Sequence, residues 1–366
     1  GRGSMEQLTD NTRMDGPLGF EVLDGLDDAA GDWDRLAEAA GNVFSTREWA
    51  SMWWRHFGAG RDLRLIACRD SDGSAVALLP LYLNRTRPLR VLRFVGHGPA
   101  DQLGPVCAPA DRERVAGALR GVLADRRWRA DLLVGDRLGG AEGWAAMTGA
   151  TVLLAEPSPT LAIDGRSWDD FLASRSKNFR DQVRRRERKL AKSHELAFRL
   201  SEAERLDEDM TTLLRLHSAR WEDASAAFEP HLESFHRQFA AVALERGWLR
   251  LWLAEVDGKP VAAWYGLRYA GCESFYQSGR DPSWDSHSVG FVLLAHSIRS
   301  AFEDGLSEYR FLRGGDAYKG RFSDGDAGVE TVLLGRGSLG RPAAAAAGAL
   351  GRLPRGDRLL ARASTR

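Results

Sequence analysis

The sequence is short of the residues that hold metals or cross-link small domains. Cys68, Cys107 and Cys272 are its three cysteines. Widely spaced, they form neither a metal-ligand pattern nor a disulfide framework, which points to a reducing compartment and a cytoplasmic protein. The eight histidines include no HExxH-like pair, so no metal is expected. No apolar run has the length of a bilayer span and no secretory stretch follows Met5, so no integral membrane segment is expected. Residues 1–4, ahead of Met5, read as a cloning scar. What remains is 43% hydrophobic and 28% charged, the composition of a soluble globular protein. It is too long for one typical core, and two domains are expected.

Formal net charge is zero but unevenly spread. From Ser174 to Lys192 the chain reads SRSKNFRDQVRRRERKLAK, with nine basic residues against two acidic. Charge segregated in this way predicts an anionic partner at that place.

In the second half, ELAFRLS reads as a strand, followed by helices over 204–221 and 231–246. LRLWLAEV and PVAAWYGLRY flank Asp257-Gly258-Lys259, a hairpin turn. ESFYQSG is a third strand, a helix spans 289–303, and SEYRFL and GVETVLLG are the last strands. The first half repeats the order, with Asp72-Gly73 185 positions before Asp257-Gly258. Two α/β units in tandem follow, one over 5–165 that finishes with TVLLAEP and TLAID, the other over 166–336. A tail over 337–366, rich in Ala and Arg, reads as partly helical and then disordered.

Strand, two helices, an antiparallel hairpin with a third strand, a long helix and closing strands is the order of the GNAT acyltransferase fold. FSTREWASMWWRHFG (Phe44–Gly58), LRFVGHGPADQLGPV (Leu92–Val106), LHSARW (Leu216–Trp221) and FLRGGDAYKGRF (Phe311–Phe322) resemble the CelD-like acyltransferase family. That family is a tandem double-GNAT group similar to the Fem aminoacyl transferases, and the similarity runs from about Leu18 to Leu334. The fold implied is two tandem GNAT-like domains, α/β, with mixed twisted sheets flanked by helices. The chain departs from the family where Arg310 replaces a strand acid. It departs again where the pyrophosphate loop Q/R-x-x-G-x-G/A is reduced to SHSVGF, with Gly290 alone in place.

The resemblance puts the Tyr-Lys pair of FLRGGDAYKGRF in the cleft between the domains. Negative charge develops on the carbonyl oxygen when an amine attacks an ester or thioester, and a positioned ammonium stabilises it. Lys319 takes that role or holds a donor phosphate, Asp316 orients the amine or accepts its proton, and Tyr318 hydrogen-bonds or packs. A solvated lysine beside a plain glycine turn is the bland alternative. On the basic helix, Lys177, Arg180, Arg184 and Arg188 form one stripe that can grip phosphates, although charged helix faces are commonly just solvated. Arg313, Trp221, Tyr276, Gln277, Gly290 and the loop residue Asp101 complete the candidate donor- and substrate-binding set. Trp264 is a further sheet aromatic, and His97 and His287 are loop histidines with little claim to a base role.

The expected activity is N-acyl transfer from an acyl-CoA to a small-molecule or precursor amine, with no permanently bound cofactor. A Fem-like transfer from aminoacyl-tRNA is the alternative, and a non-catalytic nucleotide-sugar or polysaccharide-precursor binding module is the rival from another class. DNA is not an expected partner.

Overall fold

The computed structural model of the protein describes residues 16–84, 89–220, 228–336, 342–347 and 349. The first half holds β1 (Gly19–Leu23), α1 (Ala30–Ala40), α2 (Arg47–Phe57), β2 (Asp62–Arg69), β3 (Ala75–Asn84), β4 (Val91–Phe94) and β5 (Val106–Cys107). It continues with α3 (Arg112–Ala124), β6 (Leu132–Gly139), α4 (Trp144–Thr148), β7 (Thr151–Glu156) and β8 (Pro159–Ala162). The second half begins with α5 (Trp168–Ala173), α6 (Lys177–Ser193), β9 (Leu196–Leu200), α7 (Leu206–Arg220), α8 (Pro230–Glu245), β10 (Leu249–Val256) and β11 (Lys259–Tyr269). It ends with β12 (Cys272–Arg280), α9 (Val289–Glu303), β13 (Glu308–Arg310), α10 (Ala317–Phe322), β14 (Gly325–Asp326) and β15 (Val329–Gly335). Residues 342–347 are helical, and Ala344 packs on Leu132 and Leu333.

Local chemistry explains the elements around the site. The hairpin between β10 and β11 turns at Asp257 (φ +51°) and Gly258 (φ +76°), the two left-handed positions of a type I′ turn. Thr46 caps α2 by accepting from the N–H of Trp49, and Trp49, Ala50, Met52 and Trp53 make its buried face. Ser176 caps α6 likewise, and Phe179, Val183 and Leu190 are the buried stripe of an otherwise charged helix.

Two sheets result: β1-β2-β3-β4-β6-β15-β7, with β5 on β3, and β14-β8-β13-β12-β11-β10-β9. They do not divide at residue 165. TLAID, expected to finish the first unit, supplies β8, which pairs with β13 and β14 of the second sheet. GVETVLLG, expected to finish the second unit, supplies β15, which inserts between β6 and β7 of the first. Both segments are short apolar runs that suit any buried strand position, so chain order alone misassigns them. The halves thus trade a strand.

One face of the second sheet, with α7 and α8, joins the core of the first unit. Trp49 of α2 stands edge-on to Phe235 and Phe239 of α8, with ring centres 5.0 and 4.7 Å away. The other face is covered by α5, α6 and α9 around Trp264, Phe275 and Phe322. Arg310 donates to the Gly41 carbonyl at the end of α1 (2.5 Å) and pairs with Glu308 (2.8 Å). A cation at that position serves to tie the second sheet to the first unit. Among the described residues, no helix is long and apolar enough to cross a membrane.

Candidate active site

In the second sheet β12 and β13 run parallel and pair only over Cys272–Ser274 with Glu308–Arg310. Beyond that pair β12 continues on β11 as far as Arg280, while the other chain turns off through Leu312 (φ +58°) and Gly314 (φ +112°). The gap is a cavity of about 220 Å³ whose walls include Trp264, Phe275, Leu293 and Leu294. Gly290, Arg186, Tyr318 and Arg321 also line it. Gly279 lets α7 lie directly on β12, since a Cβ there would fall 2.3 Å from the backbone nitrogen of His217.

One part of the cavity wall is cationic. Gly290 is the second residue of α9, whose first turn has no side-chain cap and no acid, so its amide dipoles face any anion there. The Arg186 and Arg321 guanidiniums stack on Phe291, at 4.4 and 5.4 Å from its ring centre. Arg321 donates to Gln182, and neither arginine makes an ion pair among the described residues. Burial holds the Arg186 guanidinium below its ordinary pKa, and Arg321 and Arg185 add to this.

Lys319 lies behind the wall formed by Phe275 and Tyr318 and does not itself line the cavity. The bland alternative of a solvated lysine does not hold: Ala317–Phe322 folds into the short helix α10, and Lys319 is buried, 4% exposed. Its Nζ donates to the Arg313 carbonyl (2.7 Å), lies 3.5 Å from Asp316 and faces the Phe275 ring. Desolvation lowers its pKa, while Asp316 and Asp101 act in the opposite direction. Asp316 is exposed and Tyr318 half-buried, its ring 6.3 Å from that of Phe275.

Asp101 arrives from the other unit. The Arg313 N–H donates to its carboxylate at 3.2 Å, the Arg313 side chain lies 3.5 Å away, and the same guanidinium reaches Glu156 at 3.3 Å. The structure therefore brings Lys319, Asp316, Tyr318, Arg313 and Asp101 together at one seam, and of these Tyr318 lines the cavity, as Gly290 does.

The other expected binding residues lie elsewhere. Tyr276 is turned away from the cavity; its hydroxyl donates to the Pro99 carbonyl (2.6 Å) and its ring packs on Phe44. A bulge between Tyr265 and Gly266 leaves Tyr276 without a partner on β11 and places Gln277 opposite Tyr265. Gln277 does not line the cavity. Lys177 is exposed at the start of α6. Arg180 donates to the Arg175 carbonyl (2.6 Å) and so closes the end of α5, a helix-terminal role. Arg184 lines a separate cavity between α5, α6 and α9. Trp221 lies outside the described residues. His97 is buried against Tyr82 (2.5 Å), and His287 lies in the short helical turn before α9.

The sequence reading missed Arg186, Arg321, Phe275 and Glu156. Arg186 was discoverable: three positions after Val183 and four before Leu190, it flanks the buried stripe of α6, so it leans toward the sheet.

Residues 177–320 match the family model described as an acetyltransferase (GNAT) domain, a span from α6 to α10 that takes in the cavity and Lys319. No curated protein matches the chain significantly by sequence. Among solved structures, FemX superposes with a TM-score of 0.62 at 12% identity, covering 86% of this chain and 97% of that one. The C-terminal domain of a putative lysylphosphatidylglycerol synthetase from Agrobacterium fabrum gives 0.55 at 11% identity, over 88% and 95%. L-PGS from Bacillus licheniformis gives 0.54 at 11%, over 91% and 97%. The tandem GNAT-like fold expected from the motifs is the fold observed.

Proposed function

We propose that this chain is an N-acyltransferase that moves an acyl group from an acyl-CoA to an amine. The observation that carries the reading is the two-sided cavity beside β12. It joins paired arginines and an uncapped helix start, suited to phosphates, to an apolar wall with a buried lysine behind Phe275. The donor's phosphates rest on Arg186, Arg321 and the amides of α9, and its thioester lies along β12 toward Phe275. The acceptor amine enters between the units and attacks the carbonyl carbon. The Lys319 ammonium stabilises the oxyanion, Asp316 takes the amine proton, and the thiolate leaves as the carbon–sulfur bond breaks. Most of the rate comes from holding amine and thioester in line.

One observation favours an aminoacyl-tRNA donor instead. Lys177, Arg184, Arg185, Arg188, Lys189 and Lys192 are all exposed along α6, a longer cationic track than the three phosphate groups of CoA require. The name of one fold neighbour, a putative lysylphosphatidylglycerol synthetase, speaks of making an aminoacylated product for that protein.

Titration with CoA and with an RNA hairpin carrying an acceptor end separates the donors. For a CoA donor, binding saturates and weakens at least about tenfold in R186A/R321A, with little change in R184A/R188A. For an RNA donor, affinity falls at least about tenfold between roughly 50 and 200 mM salt, and R184A/R188A flattens that dependence. Absence of binding to either ligand overturns the reading.

A further inference from the structure

The gap that is a cavity in the second sheet is filled in the first. β4 pairs in parallel with β6 over Val91–Arg93, and the chain beyond Phe94 folds back until Leu103 bridges Leu138, again in parallel. The segment between, 96–104, turns at Gly96, Gly98 and Gly104, all at positive φ. Its carbonyls are held one after another. Trp53 donates to His97 (2.8 Å), Tyr276 to Pro99 (2.6 Å) and Asn42 to Gln102 (3.0 Å). A single nitrogen, Nη1 of Arg137, donates to both Gly98 (2.8 Å) and Ala100 (2.7 Å).

Arg137 is an expensive residue. It is 6% exposed, sits at φ +53° within β6, and makes no ion pair among the described residues. A buried guanidinium without a carboxylate is costly, and the left-handed backbone adds about 1–2 kcal/mol for a residue with a Cβ. Such costs persist where the surroundings enforce them, commonly at functional sites. The next residue after its second acceptor is Asp101, the first unit's contribution to the seam.

We propose that Arg137 is a positioning residue that locks the 96–104 loop so that the Asp101 carboxylate is held on Arg313 and toward Lys319. The inference rests on the reading of Lys319 as the group that stabilises the oxyanion. The charged groups around Lys319 are Asp316 on its own helix, Asp101 from the loop and Arg313 from the strand end. Both carboxylates favour the ammonium and Arg313 opposes it. Arg137 acts on the lysine through where it places Asp101. If the loop loosens, Asp101 moves off and the Lys319 titration midpoint falls.

The sequence has five lysines, Lys177, Lys189, Lys192, Lys259 and Lys319, so carbon-13 labelling of the lysine Cε carbons gives a spectrum in which Lys319 is assigned by its loss in K319M. Its midpoint is then followed by NMR in wild type, D101N, R137K and D101N/R137K. R137K keeps the charge, but its ammonium sits one bond closer to the backbone than Nη1 and falls short of the point where one nitrogen meets both carbonyls. The expected result is a fall in R137K comparable to that in D101N, with no further fall in the double variant. If R137K does not fold, G98A loosens the same loop by strain alone, because its φ is +94° and a Cβ there meets nothing within 4 Å; the same fall is expected. An unmoved midpoint in folded R137K, or in G98A where that variant stands in, overturns the positioning role. An unmoved midpoint in D101N overturns the link across the units on which it depends. Lys319 catalysis fails separately, if K319M keeps full turnover while these midpoints still shift.

Discussion

A side chain at Gly314 would crowd the Lys319 ammonium. A Cβ on Gly314 would lie 3.2 Å from the lysine Nζ and 3.3 Å from the Asp316 carboxylate, at a backbone φ of +112°. G314A is therefore expected to cost about 1–2 kcal/mol of stability and to push the ammonium off its place. Urea unfolding reads the first effect. Turnover, reduced more than the stability loss explains, reads the second.

Replacing the lysine itself separates chemistry from stability. K319M is expected to raise the reaction barrier by about 2–4 kcal/mol, the scale of one lost oxyanion donor. The folded pKa of Lys319 lies below its unfolded value, so between those two values the unfolded chain binds the extra proton and stability rises with pH. Wild type should therefore gain stability relative to K319M as pH climbs through that window toward 10.5. Denaturation midpoints measured from neutral to alkaline pH check the sign. Equal pH slopes would remove the linkage.

His97 gives the opposite limb. Burial lowers its pKa from 6.5 to about 3, so the folded protein keeps it neutral while the unfolded chain protonates it. Stability from this group is lost as pH falls below 6.5, by up to about 1.4 kcal/mol per pH unit. H97Q is expected to unfold with a shallower pH dependence between those values, read from urea titrations at several acid pH values.

Gly279, in the cavity wall, tests the close contact of β12 with α7. A Cβ there would enter the backbone of α7, and G279A is expected to cost about 3 kcal/mol or more. G290A, where a Cβ meets only the Arg280 side chain at 3.3 Å, is expected to be mild in stability and to show its effect in donor affinity. Thermal unfolding and CoA titration of the two variants make the comparison.

Much of the fold was legible because local signals agreed. Asp257-Gly258 fixed a hairpin, and apolar periodicity marked the helix over 289–303. What escaped depended on partners far away in the chain. TLAID and GVETVLLG carry strand chemistry but nothing that names their sheet. The AYKGRF helix was obscured by glycines on both sides of a single turn and a half. The resemblance puts both Tyr276 and Gln277 where the sheet faces a donor, and the bulge between Tyr265 and Gly266, which no local signal announces, alters the register there. The basic stripe of α6 was real, but which of its edges meets the sheet depends on where Val183 and Leu190 are buried.

The traded strands set the order in which this protein can be made. As the chain leaves the ribosome, β6 and β7 are both out long before β15, which must lie between them, is synthesised. The first sheet waits with an open slot through the entire second half of translation. A chain stopped just short of Val329 has every residue of the first unit's helices yet lacks the strand that joins β6 to β7. Cutting the protein at its apparent midpoint yields two fragments, each holding a strand the other needs, which should regain structure only when mixed.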